Sequence, residues 1–192
     1  MAGISEIRSY AAFISYRHLP IDRKWAQWLL ESLERFRTPR SLVRKGFPRR
    51  IAPIYRDEDE VPASANLSRH IEEALEASRA LIVVCTPATP ASRWIEREVR
   101  AFRESGRSER IHVLLADGEP EIAFPRPLLE DENYEPVAAD VRPRPGTSSR
   151  KLRSMARLRL AAALLGCAFD ELRRRERQRT RRRLLSAAAL AR

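Results

Sequence analysis

The chain has 192 residues, 33% of them charged, and a formal net charge of +11. That length holds one domain with a proper core plus an appendage. Residues 150–192 carry 14 Lys and Arg against three acids, which is the whole positive excess, so the body is neutral; this argues against a nucleic-acid-binding core and for a basic tail with its own role.

Strands and helices alternate along the body. Tyr10–Tyr16 is a short apolar run that reads as the central first strand. Asp22–Phe36 is an amphipathic helix with Trp25, Trp28, Leu29, Ser32, Leu33 and Phe36 on one face, the tryptophans reading as core. A basic, proline-containing loop covers Arg37–Arg50, and Ile51–Tyr55 reads as a second strand that Pro53 places near an edge. An acidic loop, Arg56–Asn66, leads into a helix over Leu67–Ser78 with Leu67, Ile71, Ala74, Leu75 and Ser78 on its inner side. Ala80–Cys85 is a buried parallel strand.

The helix after it, residues 92–104, is capped by Ser92, and Ile95, Val99 and Phe102 give it a core face. Its two acids differ. Glu96 has Arg100 four residues on, an ordinary solvated pair. Glu98 lies between Trp94 and Phe102, one turn to either side, beside the core stripe. Burial there opposes its charge while the helix N-terminus favours it. Two readings stand: a site carboxylate, or a surface Glu whose stem packs on Trp94.

Gly106 closes that helix, Ile111–Ala116 is a fourth strand, and Pro136–Ala139 a short fifth after a loop rich in proline and acid. From Ser148 onward the pattern predicts one long helix that packs first and then becomes an arginine-rich shaft. The domain runs over 8–146 and the helical extension over 147–192. Arg181–Arg192 reads either as a positive flank with the start of a membrane helix or as a plain helical tail. Met1–Arg8 is polar and has no apolar signal-peptide region.

Five strands alternating with helices predict an α/β fold: an open five-stranded parallel sheet with helices on both faces. Such sheets bind ligands outside the carboxyl ends of their strands. Ser15, Tyr16, Arg17 and His18, the segment 56–60, and the segment 86–94 all lie there, with Glu98 one turn into the helix beyond. Other chemistries are disfavoured. The six glycines form neither G-x-G-x-x-G nor a phosphate loop, G-x-S-x-G is absent, and His18, His70 and His112 lack metal spacing. The third strand ends in Cys85-Thr86 and not in Asp, unlike a phospho-receiver. Cys85 and Cys167 sit in apolar runs and read as small buried hydrophobes in a reducing compartment.

Four motifs then stand in order: Phe13-Ile-Ser-Tyr-Arg17; Arg56-Asp57 leading to Leu67…Ile71…Ala74-Leu75…Ser78-Arg79; Leu81-Ile-Val-Val-Cys-Thr86; and Ser92-x-Trp94-x-x-x-Glu98. Together, over residues 8–140, they resemble a Toll/interleukin-1 receptor (TIR) domain, most of all its bacterial branch. The resemblance implies a flavodoxin-like fold and NAD+ as a substrate, cleaved to nicotinamide and ADP-ribose or a cyclised product, with no separate cofactor. It makes Glu98 the catalytic residue and Phe13, Ser15, Tyr16, Arg17, Asp57 and Trp94 the substrate-binding set. The implied setting is bacterial defence, with activation by self-association. The arginine-rich tail itself reads as a flank on anionic lipid, which would tether a cytoplasmic domain at the inner membrane face, or else as a nucleic-acid binder. The competing reading is a non-enzymatic TIR scaffold. Where many members carry Gly at the tip of the loop after the second strand, this chain has Pro62-Ala-Ser64. Arg17 and Asp57 have plainer readings too, as a solvated charge and a loop cap.

Overall fold

The apolar runs form five strands, β1 (Ala12–Ser15), β2 (Ile54–Arg56), β3 (Leu81–Cys85), β4 (Ile111–Leu115) and β5 (Val137–Asp140). In the computed structural model, which describes residues 10–56, 65–130 and 136–190, they pair in the order β2-β1-β3-β4-β5. Every pairing is parallel. This is the flavodoxin-like strand order, which reverses direction beside β1 and so opens a crevice at the carboxyl ends of β1 and β3.

Parallel neighbours need crossovers, and the helices supply them. They are α1 (Pro20–Glu34), α2 (Arg40–Val43), α3 (Ala65–Glu76), α4 (Arg93–Glu104), α5 (Pro120–Ala123), α6 (Ser149–Leu165) and α7 (Phe169–Leu190). Strand side chains alternate between two faces. Phe13, Leu81, Val83, Ile111 and Val113 pack with Ile71 and Leu75 of α3 and with Ile95, Val99 and Phe102 of α4. Ile14, Ile82, Val84 and Leu114 pack on the other side with Ala26, Leu29 and Leu33 of α1 and Leu160 and Ala161 of α6. Ile95, Val99 and Phe102 are almost wholly buried, each contributing about 1.5–3 kcal/mol of hydrophobic stabilisation.

Several boundaries differ from those the sequence predicts. The first strand is the four residues Ala12–Ser15, and Tyr10 makes only an isolated bridge to Ser78. The second is shifted to Ile54–Arg56. The basic loop holds the short helix α2. Trp25 and Trp28 are half-buried and meet edge to face at 5.5 Å at the rim of the core, and Cys167 is half-buried as well.

The expected single C-terminal helix is two. Gly166 takes a left-handed conformation (φ 72°) and its N–H bonds the carbonyls of Ala162 and Ala163, ending α6. Glycine adopts this conformation without the Cβ clash that other residues meet, so the chain turns there. Leu160 and Ala161 are fully buried, so α6 is a layer of the fold. Only α7 leaves the body, after docking through buried Leu172 and a Lys45–Glu171 ion pair of 2.6 Å. Among the described residues, no helix is long and apolar enough to cross a membrane.

Candidate functional site

Ser15 ends β1 on the same pleat face as Phe13, which aims it at α4. The start of α4 is set by Ser92, whose hydroxyl accepts from the backbone N–H of Ile95 at 3.3 Å. One turn on, Glu98 is only 6% exposed, so its carboxylate is pressed between the helix and the strand end. Ser15 Oγ donates to Glu98 Oε2 at 2.5 Å, and Trp94 Nε1 donates to Glu98 Oε1 at 2.8 Å. Charge-assisted bonds of this kind are short and directional. They hold both oxygens of a nearly buried acid at the carboxyl end of the central strand.

Glu98 opens on a groove between α3 and α4 of about 200 Å³, lined also by Ile71, Leu75, Glu76, Trp94 and Arg97. The Arg97 guanidinium stands 5.2 Å from the Trp94 ring centroid, close enough for a cation–π contact. Pockets for whole drug-sized ligands run to about 300–1,000 Å³. The groove has room for one ring of a larger molecule.

Across the sheet lies a second acid that sequence reasoning did not single out. Asp22, in the first turn of α1, is fully buried. Thr86 Oγ1 donates to its Oδ1 at 3.0 Å, and Oδ2 has no partner among the described residues. Burial pushes its carboxyl above the ordinary range, against the pull of the Thr86 bond and the Arg17 charge. Burial, with the Asp22 charge adding, also raises the Cys85 thiol well above its usual value. Arg17 Nη1 donates to the Ala88 carbonyl at 2.8 Å, tying the loop after β1 to the loop after β3. On the far rim, Arg142 donates to Asp140 and to the Gly118 carbonyl and pairs with Glu119, locking the loop after β4.

The predicted set therefore divides. Ser15, Trp94 and Glu98 come together. Phe13 lies in the core, stacked on Tyr55 at 5.1 Å and fully buried, so it supports the site from below and offers no surface to a ligand. Tyr16, one residue past Ser15, faces the opposite core; it is 6% exposed, with its ring 4.8 Å from that of His18. Arg17 is engaged with Ala88. Asp57 lies outside the described residues. The Trp94–Glu98 bond was within reach of sequence reasoning, since the pair is spaced i, i+4. The Ser15–Glu98 and Asp22–Thr86 bonds join residues 83 and 64 apart, and no local signal announces them.

The sequence model of the TIR domain matches residues 12–152, well over half of the chain. The chain belongs to the TIR domain family. Among curated proteins none matches it. The TIR domains of the activated Roq1 resistosome, which directly recognises the pathogen effector XopQ, are 19% identical to this TIR domain protein. That match covers 59% of this chain and 61% of the Roq1 chain, with a TM-score of 0.40. A flavodoxin-like domain from Synechococcus is 13% identical over 79% of this chain and 94% of its own, with a TM-score of 0.44.

Proposed function

We propose that this TIR domain hydrolyses NAD+ at the nicotinamide N-glycosidic bond, with Glu98 as the catalytic carboxylate, switched on by self-association in bacterial defence signalling. The observation that carries the reading is the Glu98 carboxylate, nearly buried at the strand-end crevice and held by Ser15 and Trp94.

The chemistry asks for one acid. Nicotinamide leaves from a pyridinium nitrogen and departs neutral, so no proton donor is needed. As the bond breaks, positive charge develops on the ribose, and a fixed carboxylate stabilises it or orients the ribose hydroxyls. The two donors keep Glu98 from rotating away, and the low exposure keeps bulk water from screening its charge. A ribose hydroxyl approaching Oε2 takes over the bond that Ser15 makes in the free protein. The α3–α4 groove, with Trp94 and Arg97 at its wall, accepts one ring of the dinucleotide.

A second reading, a TIR scaffold without activity, draws on the same bonds. Both Glu98 oxygens are already satisfied within the chain, which is also what a purely structural acid requires. The two separate on nicotinamide release from NAD+ at high protein concentration, wild type beside Glu98→Gln. Release by the wild type with a loss of at least about a hundredfold in the variant supports the hydrolase. Equal release by both removes Glu98 from the mechanism, and no release by either favours the scaffold.

A further inference from the structure

The helix α7 has two faces of different character. Leu172, Glu176 and Arg179 follow one another at i, i+4, i+7 and look inward: Leu172 is fully buried, Arg179 bonds both Glu176 and the Arg37 carbonyl, and neighbouring Glu171 pairs with Lys45. Asp170, Arg173, Arg174, Arg177, Gln178 and Arg181 form the other side and line a shallow hollow of about 380 Å³. Among the described residues none of these four arginines is paired with a carboxylate, and the Nε of Arg173 is covered yet without a partner. The stretch 173–183 holds eight arginines and a single acid, Glu176. A helix that only needed to be soluble would not stack four arginines along one stripe against the single acid Asp170 at its start, because like charges at i, i+4 repel.

The backbone continues as helix through an apolar stretch, Leu184–Leu190, in which Ser186 is the one polar residue. From these features we infer that α7 docks the protein on an anionic phospholipid surface. Its arginine stripe binds lipid phosphates, and the apolar stretch Leu184–Leu190 enters the acyl layer. Guanidinium groups pair with phosphate oxygens in bidentate fashion and stay charged at any physiological pH. The apolar end favours a bilayer over a nucleic acid, which would engage the arginines and leave the leucines without a role. The inference stands independently of the activity proposed for Glu98.

The test uses the whole chain and lipid vesicles, either phosphatidylcholine alone or with about one-third phosphatidylglycerol, read by flotation. Binding to the anionic vesicles alone, falling as salt rises, is expected. Each arginine near the surface is worth about fivefold in affinity, so the variant R173Q/R174Q/R177Q/R181Q loses about two to three orders of magnitude. The pair L184S/L185S also weakens binding. Equal binding to neutral vesicles overturns the inference, as does wild-type binding by the arginine variant. So does duplex DNA or RNA that binds at physiological salt, displaces vesicles and is indifferent to the leucine pair.

Discussion

Ser15→Ala removes the donor that holds Glu98 Oε2 at 2.5 Å on a residue only 6% exposed. A hydrogen bond to a charged group contributes about 1.5–3 kcal/mol. We expect a loss of about 2 kcal/mol, which for a chain of this size lowers Tm by about 4–8 °C. Glu98→Gln is milder, about 1 kcal/mol, because its amide oxygen still accepts from Trp94 and its NH₂ can donate to Ser15 Oγ. The double variant then costs less than the sum of the two, with a coupling of about 1–2 kcal/mol. Urea unfolding at neutral pH, with unchanged m, measures all three. Nicotinamide release runs in parallel: Ser15→Ala lowers kcat by about tenfold, since it loosens the carboxylate but keeps it, whereas Glu98→Gln removes the charge. A Ser15→Ala protein within about 0.5 kcal/mol of wild type, or a coupling near zero, would refute the clamp.

Four further variants test the body of the fold and α7. His112 is 3% exposed on β4, both ring nitrogens lack partners among the described residues, and burial, with the Arg110 charge adding, lowers its pKa from 6.5 to about 4. The unfolded chain takes up that proton first, so stability present above pH 6.5 is lost as pH falls toward 4, by about 3 kcal/mol in all. The raised carboxyl of Asp22 acts in the opposite direction, so the difference between wild type and His112→Leu across an acid titration of stability isolates the histidine. Gly118 has φ +75°, and a Cβ there would stand 2.7 Å from Pro87 Cγ; Gly118→Ala therefore destabilises by about 1–3 kcal/mol, read by thermal melting. Leu160→Ala costs about 2–5 kcal/mol if α6 is a layer of the core, while Arg177→Gln on exposed α7 leaves urea stability within about 0.5 kcal/mol.

The sequence by itself determined the element types, their alternation and hence the wound parallel sheet. Strand and helix periods are written in local spacing, and runs such as Leu81–Cys85 and Ile95…Val99…Phe102 satisfy one period only. It also marked Glu98, because Trp94 and Phe102 flank it at one turn. Strand ends and the break at Gly166 were less legible: a glycine in a helical pattern is tolerated until packing demands a turn, and here α7 must fold back to bury Leu172. Only the tertiary structure decided which neighbours in the first motif serve the site. The pleat sends Ser15 to α4 and Tyr16 to the opposite core, although they are adjacent in the chain. It alone buried Asp22 against Thr86, and it alone gave α7 an inward face and an arginine face, since both depend on which surfaces meet after the chain has crossed the sheet.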